Sequence, residues 1–257
     1  MSKSPSVISR VTAILGLFGE GKPLISIDEI SMTLGVSTAT AYRYASDLMH
    51  AGMLSRTSGR YRLGPKIIEL EYLIRAYDPI IRAGEDLMNT LAESTGCNAL
   101  LCNVYDETIV NVFHATGKKP IPVIYTKGLP MPLFRGSQAH VVLAHMDRRK
   151  LKRLYDSSIG DPALRPDIDR IGADWTSFSR ALRQIRSRGY YISRAELDQG
   201  VTGIAAPVIG EDQEILGSLV LIHHASAPPW MSEETLVELT IQNANEISKR
   251  IELLAAG

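Results

Sequence analysis

Between residues 26 and 50 the chain reads SIDEISMTLGVSTATAYRYASDLMH, and the punctuation of that stretch leaves little freedom in local structure. Ser26 and Glu29 form a Ser-x-x-Glu capping box, in which each side chain can satisfy a backbone donor at a helix start. Gly35 can take the left-handed conformation that closes a helix without a Cβ clash, and Ser37 is placed to cap the next one. Two short helices separated by about three residues centred on a glycine are a helix-turn-helix arrangement.

The second of these helices is predicted to run to about His50. Ala41, Tyr44, Ala45 and Leu48 fall on one stripe, and Ala39, Thr40, Tyr42, Arg43 and Ser46 on the other. A helix entering a DNA major groove needs small residues and phosphate donors near its start, a role that suits Ser37 and Thr38. It also needs a few longer side chains for base edges, which Thr40, Tyr42 and Arg43 provide. A preceding helix is expected over Val7–Phe18, where apolar residues recur at intervals of three and four before Gly19 and Gly21. Met53 to Leu63 reads as two strands about a Ser58-Gly59 turn, decorated by Arg56, Arg60 and Arg62. A winged helix uses such a hairpin to hold phosphate or to reach the minor groove, where concentrated negative potential favours arginine.

Charge supports a division of labour. The whole chain is balanced, with 28 Lys+Arg against 28 Asp+Glu, but residues 1–66 hold eight cationic and four anionic side chains, a net +4 that leaves −4 for the remainder. Asymmetry of this kind is the footprint expected when only one domain meets phosphate. Three segments are expected: a winged helix-turn-helix domain at 1–64, a linker helix at 65–78 between the breaks Gly64-Pro65 and Asp78-Pro79, and a second domain at 79–257. The linker's stripe of Ile67, Leu70, Leu73 and Ile74 also offers a dimer seam.

Beyond Gly96 the pattern turns to short strands, predicted at Asn98–Tyr105, Thr108–His114, Ile121–Thr126, Tyr190–Ala195, Gly203–Ile209 and Ile215–His223. Helices are predicted near 137–145 and 177–188, with a last one capped by Ser232. This order predicts an α+β fold whose second domain carries a mostly antiparallel sheet.

Other function classes find little purchase. Cys97 and Cys102 have no second pair, so neither a disulfide framework nor a four-ligand zinc site is supported, and buried thiols are expected. His140 and His145 lie five apart on different helix faces, and the adjacent His223 and His224 point to opposite sheet faces, so no histidine pair suits a metal. There is no nucleophile elbow and no phosphate loop; neither catalysis nor a cofactor is expected. No apolar run approaches the roughly 20 residues that span a bilayer, and the N-terminus lacks a signal-peptide core, so a cytoplasmic location and no membrane partner are expected. A protein-interaction module, docking another protein through the winged helix, is the rival from a different class.

Two blocks carry a specific resemblance: PMPLFRGSQAHVVLAHM, and IRSRGYYISRAELDQGVTGIAAPVIGEDQEILGSLVL. With GVSTATAYRYASDLMHAGML and YRLG nearer the start, they resemble the isocitrate lyase regulator (IclR) family of bacterial transcription regulators over nearly the whole chain. The resemblance implies a winged helix joined by a linker helix to a GAF-like or profilin-like effector-binding domain. It further implies dimers or tetramers on double-stranded operator DNA, many members being repressors of catabolic operons and some activators. Carried over residue by residue, the effector pocket falls on Gly136, Ser137 and Gln138, on Ser193, on Gly203, and on Val220 and Ile222, with Leu129 and Arg135 as neighbours. The chain departs from the family pattern where Phe134 replaces a common His, where Ala139-His140 replaces Gly-Lys, and where Val220 and Ile222 replace small polar residues. An apolar pocket results, from which a small organic effector, an aromatic or larger hydrophobic carboxylate or amide, is expected, with Arg135, Gln138 or backbone amides meeting its polar end.

Overall fold

The computed structural model describes residues 6–255 apart from 20, 118–120, 123 and 227–228. The chain forms two compact units, one ending at Tyr77 and the other beginning at Asp78.

In the first unit, α1 (Val7–Leu15), α2 (Ile27–Leu34) and α3 (Thr38–His50) are followed by the hairpin β1 (Leu54–Thr57) and β2 (Arg60–Leu63), then by α4 (Pro65–Tyr77). The capping box at Ser26 and Glu29 is present in both directions, at 3.2 and 2.7 Å, and Gly35 closes α2 at φ 60°. Helix α1 stops three residues short of the predicted Phe18. Gly16 caps it, and Leu17 donates only to Ile14 in a tighter turn, while Leu17 and Phe18 still pack against the core. That core gathers Ile14, Ile25, Ile30, Ala41, Tyr44, Leu48, Leu54 and Tyr61, so the hairpin is anchored by an inward tyrosine. Ile25 and Tyr61 exchange backbone hydrogen bonds of 2.8 and 2.9 Å, which add a short third rung beside β2. Helix α4 buries none of its residues and leaves Ile68, Tyr72, Ile74 and Tyr77 exposed.

The second unit runs α5 (Pro79–Thr95), β3 (Asn98–Tyr105), β4 (Thr108–Ala115), α6 (Ser137–His145), α7 (Arg148–Ser158), α8 (Arg165–Ile171), α9 (Trp175–Arg188), β5 (Tyr191–Arg194), β6 (Val201–Ile209), β7 (Ile215–His224) and α10 (Glu233–Ala255). The five strands are ordered β4-β3-β7-β6-β5, and every neighbouring pair is antiparallel. Successive residues on a strand face opposite ways, and the two cores divide accordingly. Leu101 and Leu219 pack with Met88 and Ile247 beneath α5 and α10, whereas Leu100 and Val220 pack with Leu143 and Phe178 beneath α6 and α9.

Two expectations are corrected. The strand predicted at Ile121–Thr126 is not formed by its described residues, which lie in bends and irregular backbone; Val123 lies outside the described residues. Pro122 has no N–H to give a ladder, and β4 meets the segment that follows through an isolated bridge between Val110 and Pro130 and scattered hydrogen bonds such as Gly128 to the Asn111 carbonyl at 2.7 Å. Helices α7 and α8 occupy a stretch for which no element was predicted. There Asp147 caps α7 through the Arg149 and Lys150 amides, and α8 carries Pro166 in its first turn.

Candidate nucleic-acid interface and ligand pocket

Helix α3 presents the face its sequence implies. The Ser37 hydroxyl accepts from the Thr40 amide at 3.3 Å, and Ser37, Thr38, Tyr42 and Arg43 are exposed, with Thr40 half-buried. The two tyrosines of Tyr42-Arg43-Tyr44 part company. Tyr42 is 48% exposed, while Tyr44 turns inward and its hydroxyl accepts from the Arg10 guanidinium at 2.9 Å. Ala41, Ala45 and Leu48 complete the buried side and fix which way Arg43 must point.

On the hairpin, Leu54 pairs with Leu63, Arg56 with Tyr61 and Thr57 with Arg60. Directly paired residues share a face, so Arg60 and Arg62 lie on one face and Arg56 on the other, beside Tyr61. The three arginines therefore do not form a single row. Arg60 is 3.8 Å from Glu29, which also holds Lys22 at 2.8 Å. The hydrogen bond from Lys22, reinforced by the Ser26 amide, lowers the Glu29 carboxyl to about 2. Among the described residues Arg43, Arg56 and Arg62 have no carboxylate within ion-pair distance.

In the second unit a cavity of about 40 Å³ lies where the start of α6 faces β5, β6 and β7. The register explains the convergence: Ser193 pairs with Gly203, and Gly203 with Ile222, so three strands contribute one row, with Val220 one step along β7. Ser137, Gln138, Ser193, Gly203, Val220 and Ile222 all line it. Gly203 keeps the wall open to both serines, because a Cβ there would lie 2.7 Å from the Ser137 hydroxyl and 3.1 Å from that of Ser193 and would push them aside. Gln138 is held by an amide contact of 3.0 Å to Asn111, whose own amide donates to the Tyr125 carbonyl at 2.8 Å.

Three of the residues carried over from the family stand back from the cavity wall. Leu129 and Arg135 do not line it, and the Arg135 Nε, buried without a hydrogen bond, lies 3.8 Å from Asp167. Gly136 sits behind the wall, packed on Leu197. Phe134 is core, set edge-on to Phe178 at 6.3 Å. In their place the cavity is closed by Glu196, Leu197 and Asp198, with Met131 and Val201, which sequence reasoning did not assign to it. For Glu196, Leu197 and Asp198 the available signal was their position between Ser193 and Gly203, on the short connection from β5 to β6.

Glu196 ties that connection down. Its carboxylate accepts from the Gly136 amide at 3.0 Å and from the Tyr191 hydroxyl at 3.0 Å, and stands 3.6 Å from the His140 Nδ1. His140 stacks on Tyr191 with ring centroids 4.5 Å apart, and its Nδ1 donates to the Gly136 carbonyl at 2.8 Å. Burial pushes His140 below the ordinary histidine range, against the upward pull of Glu196, and burial with that same carboxylate pushes Tyr191 up to about 12. Gly136 offers no side-chain cap to α6, and Glu196 meets its amide at the N-cap instead. Among the described residues no three His, Cys, Asp or Glu side chains converge as a metal site.

Known proteins share this architecture. The family described as the IclR helix-turn-helix domain matches residues 7–58, and that described as bacterial transcriptional regulator IclR C-terminal matches residues 75–249. The Pca regulon regulatory protein of Pseudomonas putida is 23% identical over 84% of this chain and 74% of its own length. An IclR transcriptional regulator from Alicyclobacillus acidocaldarius superposes with a TM-score of 0.76 at 22% identity, covering 96% of this chain and 97% of that one. An IclR homolog from Microbacterium hydrocarbonoxydans, crystallised with 4-hydroxybenzoate, gives a TM-score of 0.73 at 18% identity over 96% and 99%.

Proposed function

The chain belongs to the IclR family of DNA-binding transcriptional regulators with an effector-binding domain, and from that premise we propose a repressor of a catabolic operon that a small organic effector releases. The division of labour follows the segments 1–64, 65–78 and 79–257, reading DNA, connecting and sensing in turn. Ser37 and Thr38 hold phosphate, Thr40, Tyr42 and Arg43 reach base edges, and Arg56, Arg60 and Arg62 hold the backbone on either side of the wing. Self-association doubles the base readout of one short helix, and the exposed apolar side of α4 is the seam offered for it.

The observation that carries the sensing role is the convergence of Ser137, Gln138, Ser193, Gly203, Val220 and Ile222, from four separate elements, on one cavity. Its hydroxyl and amide groups suit a polar end, and Val220, Ile222, Leu197 and Met131 suit an apolar body. The 4-hydroxybenzoate bound by a relative supports an aromatic acid as the effector class. A cavity of about 40 Å³ holds water and little more, whereas a benzene ring needs about 150 Å³. Admitting a ring therefore requires the lining to give, and Leu197, on the connection between β5 and β6, moves aside with Glu196, which releases the Gly136 amide.

Calorimetry of the full chain against 4-hydroxybenzoate, benzoate, glyoxylate and pyruvate tests this reading, alongside release of bound DNA by each. An aromatic acid is expected to bind and to release DNA, and Gly203→Ala to abolish both. Tight binding of glyoxylate or pyruvate, with no aromatic ligand bound, would overturn the effector class.

A further inference from the structure

A second concavity in the sensing unit has the opposite chemistry. It measures about 220 Å³ and lies between α7 and α9, beneath the C-terminal end of α6. Leu151, Leu182, Met146 and Ala144 form its floor, Trp175 one wall, and Arg148, Arg183 and Arg186 its rim. Tyr155, late in α7, meets Trp175 and Phe178, early in α9, at ring distances of 5.3 and 4.9 Å. The two helices thus run antiparallel, which brings the start of α7 beside the end of α9 and gathers the three guanidiniums.

Those arginines are not spent on each other's neighbours. Among the described residues none of the three has a carboxylate within ion-pair distance, and the one internal hydrogen bond their guanidiniums make is Arg183 Nε to the Ser179 carbonyl at 3.3 Å. Asp147, the nearest acid in sequence, is committed to the Arg149 and Lys150 amides at 3.0 Å. Asp106, Asp212 and Glu214 line the adjoining cleft that shares Arg148 and Arg186, yet none of them lies within ion-pair distance of either arginine. Cations in the last turn of α9 favour the helix dipole, which accounts for Arg186 and Arg188 but not for Arg148 or for an apolar floor beneath them.

We propose that the α7–α9 groove is a second small-molecule site, selective for a compact dianion, a phosphate monoester or a dicarboxylate, carried on a planar or branched apolar body. Guanidinium forks match phosphate and carboxylate oxygens in pairs, and three of them suit two negative charges better than one. The indole of Trp175 and the floor of Leu151 and Leu182 take the apolar part. A volume of 220 Å³ exceeds the roughly 150 Å³ that accepts a benzene ring, so one substituted ring fits without rearrangement. The pocket at the other end of α6 is less suited to a second negative charge, since no lysine or arginine lines it and it measures only about 40 Å³. Ser137 and Gln138 of α6 line one site, and Ala144 lines the other, so a single rigid helix of nine residues joins the two inputs.

The test uses the full chain carrying Trp230→Phe, which leaves Trp175 as the only tryptophan. Phenyl phosphate is titrated at low salt, with phthalate as the dicarboxylate arm and phenol as the neutral control, and Trp175 fluorescence is read. A saturable change is expected with at least one dianion. Arg183→Ala combined with Arg186→Ala should weaken it about ten-fold or more, Gly203→Ala should leave it intact, and phenol should not reproduce it. Thermal unfolding of each variant confirms that the exposed arginines were removed from a folded protein. The proposal is overturned by no saturable response to either dianion, by phenol binding as well as phenyl phosphate, by loss confined to Gly203→Ala, or by a response to duplex DNA alone.

Discussion

Helices α3 and α6 each open one of the two proposed sites, and they do so by opposite means. Helix α3 buries Ala41, Tyr44, Ala45 and Leu48 and leaves its polar side to solvent, so its chemistry faces outward and its packing inward. In α6 every residue from Ser137 to Ala144 is buried, and the polar members Ser137, Gln138 and His140 point into the unit they help to build. A helix that reads a macromolecule can keep a solvated face until its partner arrives. A helix that walls a small cavity has no such face, and each of its polar groups must find an internal partner or cost stability.

The largest effect expected from this difference is on folding. Leu143→Ala, at a fully buried site on α6, should cost about 2–5 kcal/mol, and Gln138→Leu, which strips Asn111 of its partner, about 1–3 kcal/mol. Tyr42→Ala on the open side of α3 should stay within about 0.5 kcal/mol. Hydrogen exchange on the full chain separates the two units and measures both; equal costs at Leu143 and Tyr42 would erase the contrast.

Acid should part the units next. The four histidines His114, His140, His145 and His223, all in the second unit, are held below their ordinary range chiefly by burial. A base kept neutral in the fold contributes stability that is full above its unfolded pKa and is lost as pH falls through about 6.5. Glu29 in the first unit is lowered to about 2, so its contribution is full above the unfolded value of 4.5 and is lost only between there and about 2. Protection of amides in the second unit should therefore decline from pH 7 to 5.5 while that of α2 and α3 holds, and His140→Gln should flatten part of the slope.

The smallest effect concerns the seal around α6. Cys102 lies beneath it, 3.0 Å from the Ser218 hydroxyl, and burial pushes its thiol up to about 11; Cys97 is also raised by burial. Both should ignore a thiol reagent at neutral pH in the native protein and react on unfolding. Rapid native labelling of Cys102 would mean that α6 opens far more readily than its packing implies.

The same contrast explains what could be read from the chain in advance. The elements of the first unit announce themselves because caps, glycine stops and a half-apolar period coincide at Ser26, Glu29, Gly35 and Ser37, and strand alternation with Ser58-Gly59 gives the hairpin. The strands β6 and β7 are equally plain, being rich in β-branched residues and bounded by glycine or turn residues. Helix α7, by contrast, opens RRKLKRLYD, whose charge masks the stripe of Leu151, Leu154 and Tyr155 that it buries. The cavity lining was legible through the family resemblance at Ser193, Gly203 and Ile222, which strand register turns toward α6. It was not legible at Glu196 and Leu197, which reach the cavity through the path of a loop rather than through any periodicity, nor at Arg135, drawn instead toward Asp167 on α8.

The outward chemistry of α3 is most directly tested by the salt dependence of DNA binding. Genomic fragments selected by the full chain, and a random duplex of equal length, are titrated by fluorescence anisotropy from low to physiological salt for the natural chain, Arg43→Ala and Arg60→Ala. Affinity should fall steeply with salt. Arg43→Ala should cost about 1–3 kcal/mol on selected DNA and little on random DNA, whereas Arg60→Ala should weaken both alike and reduce the salt slope by about one unit. Equal losses on selected and random DNA for the two variants, or binding indifferent to salt, would contradict the reading of α3 as the helix that reads bases.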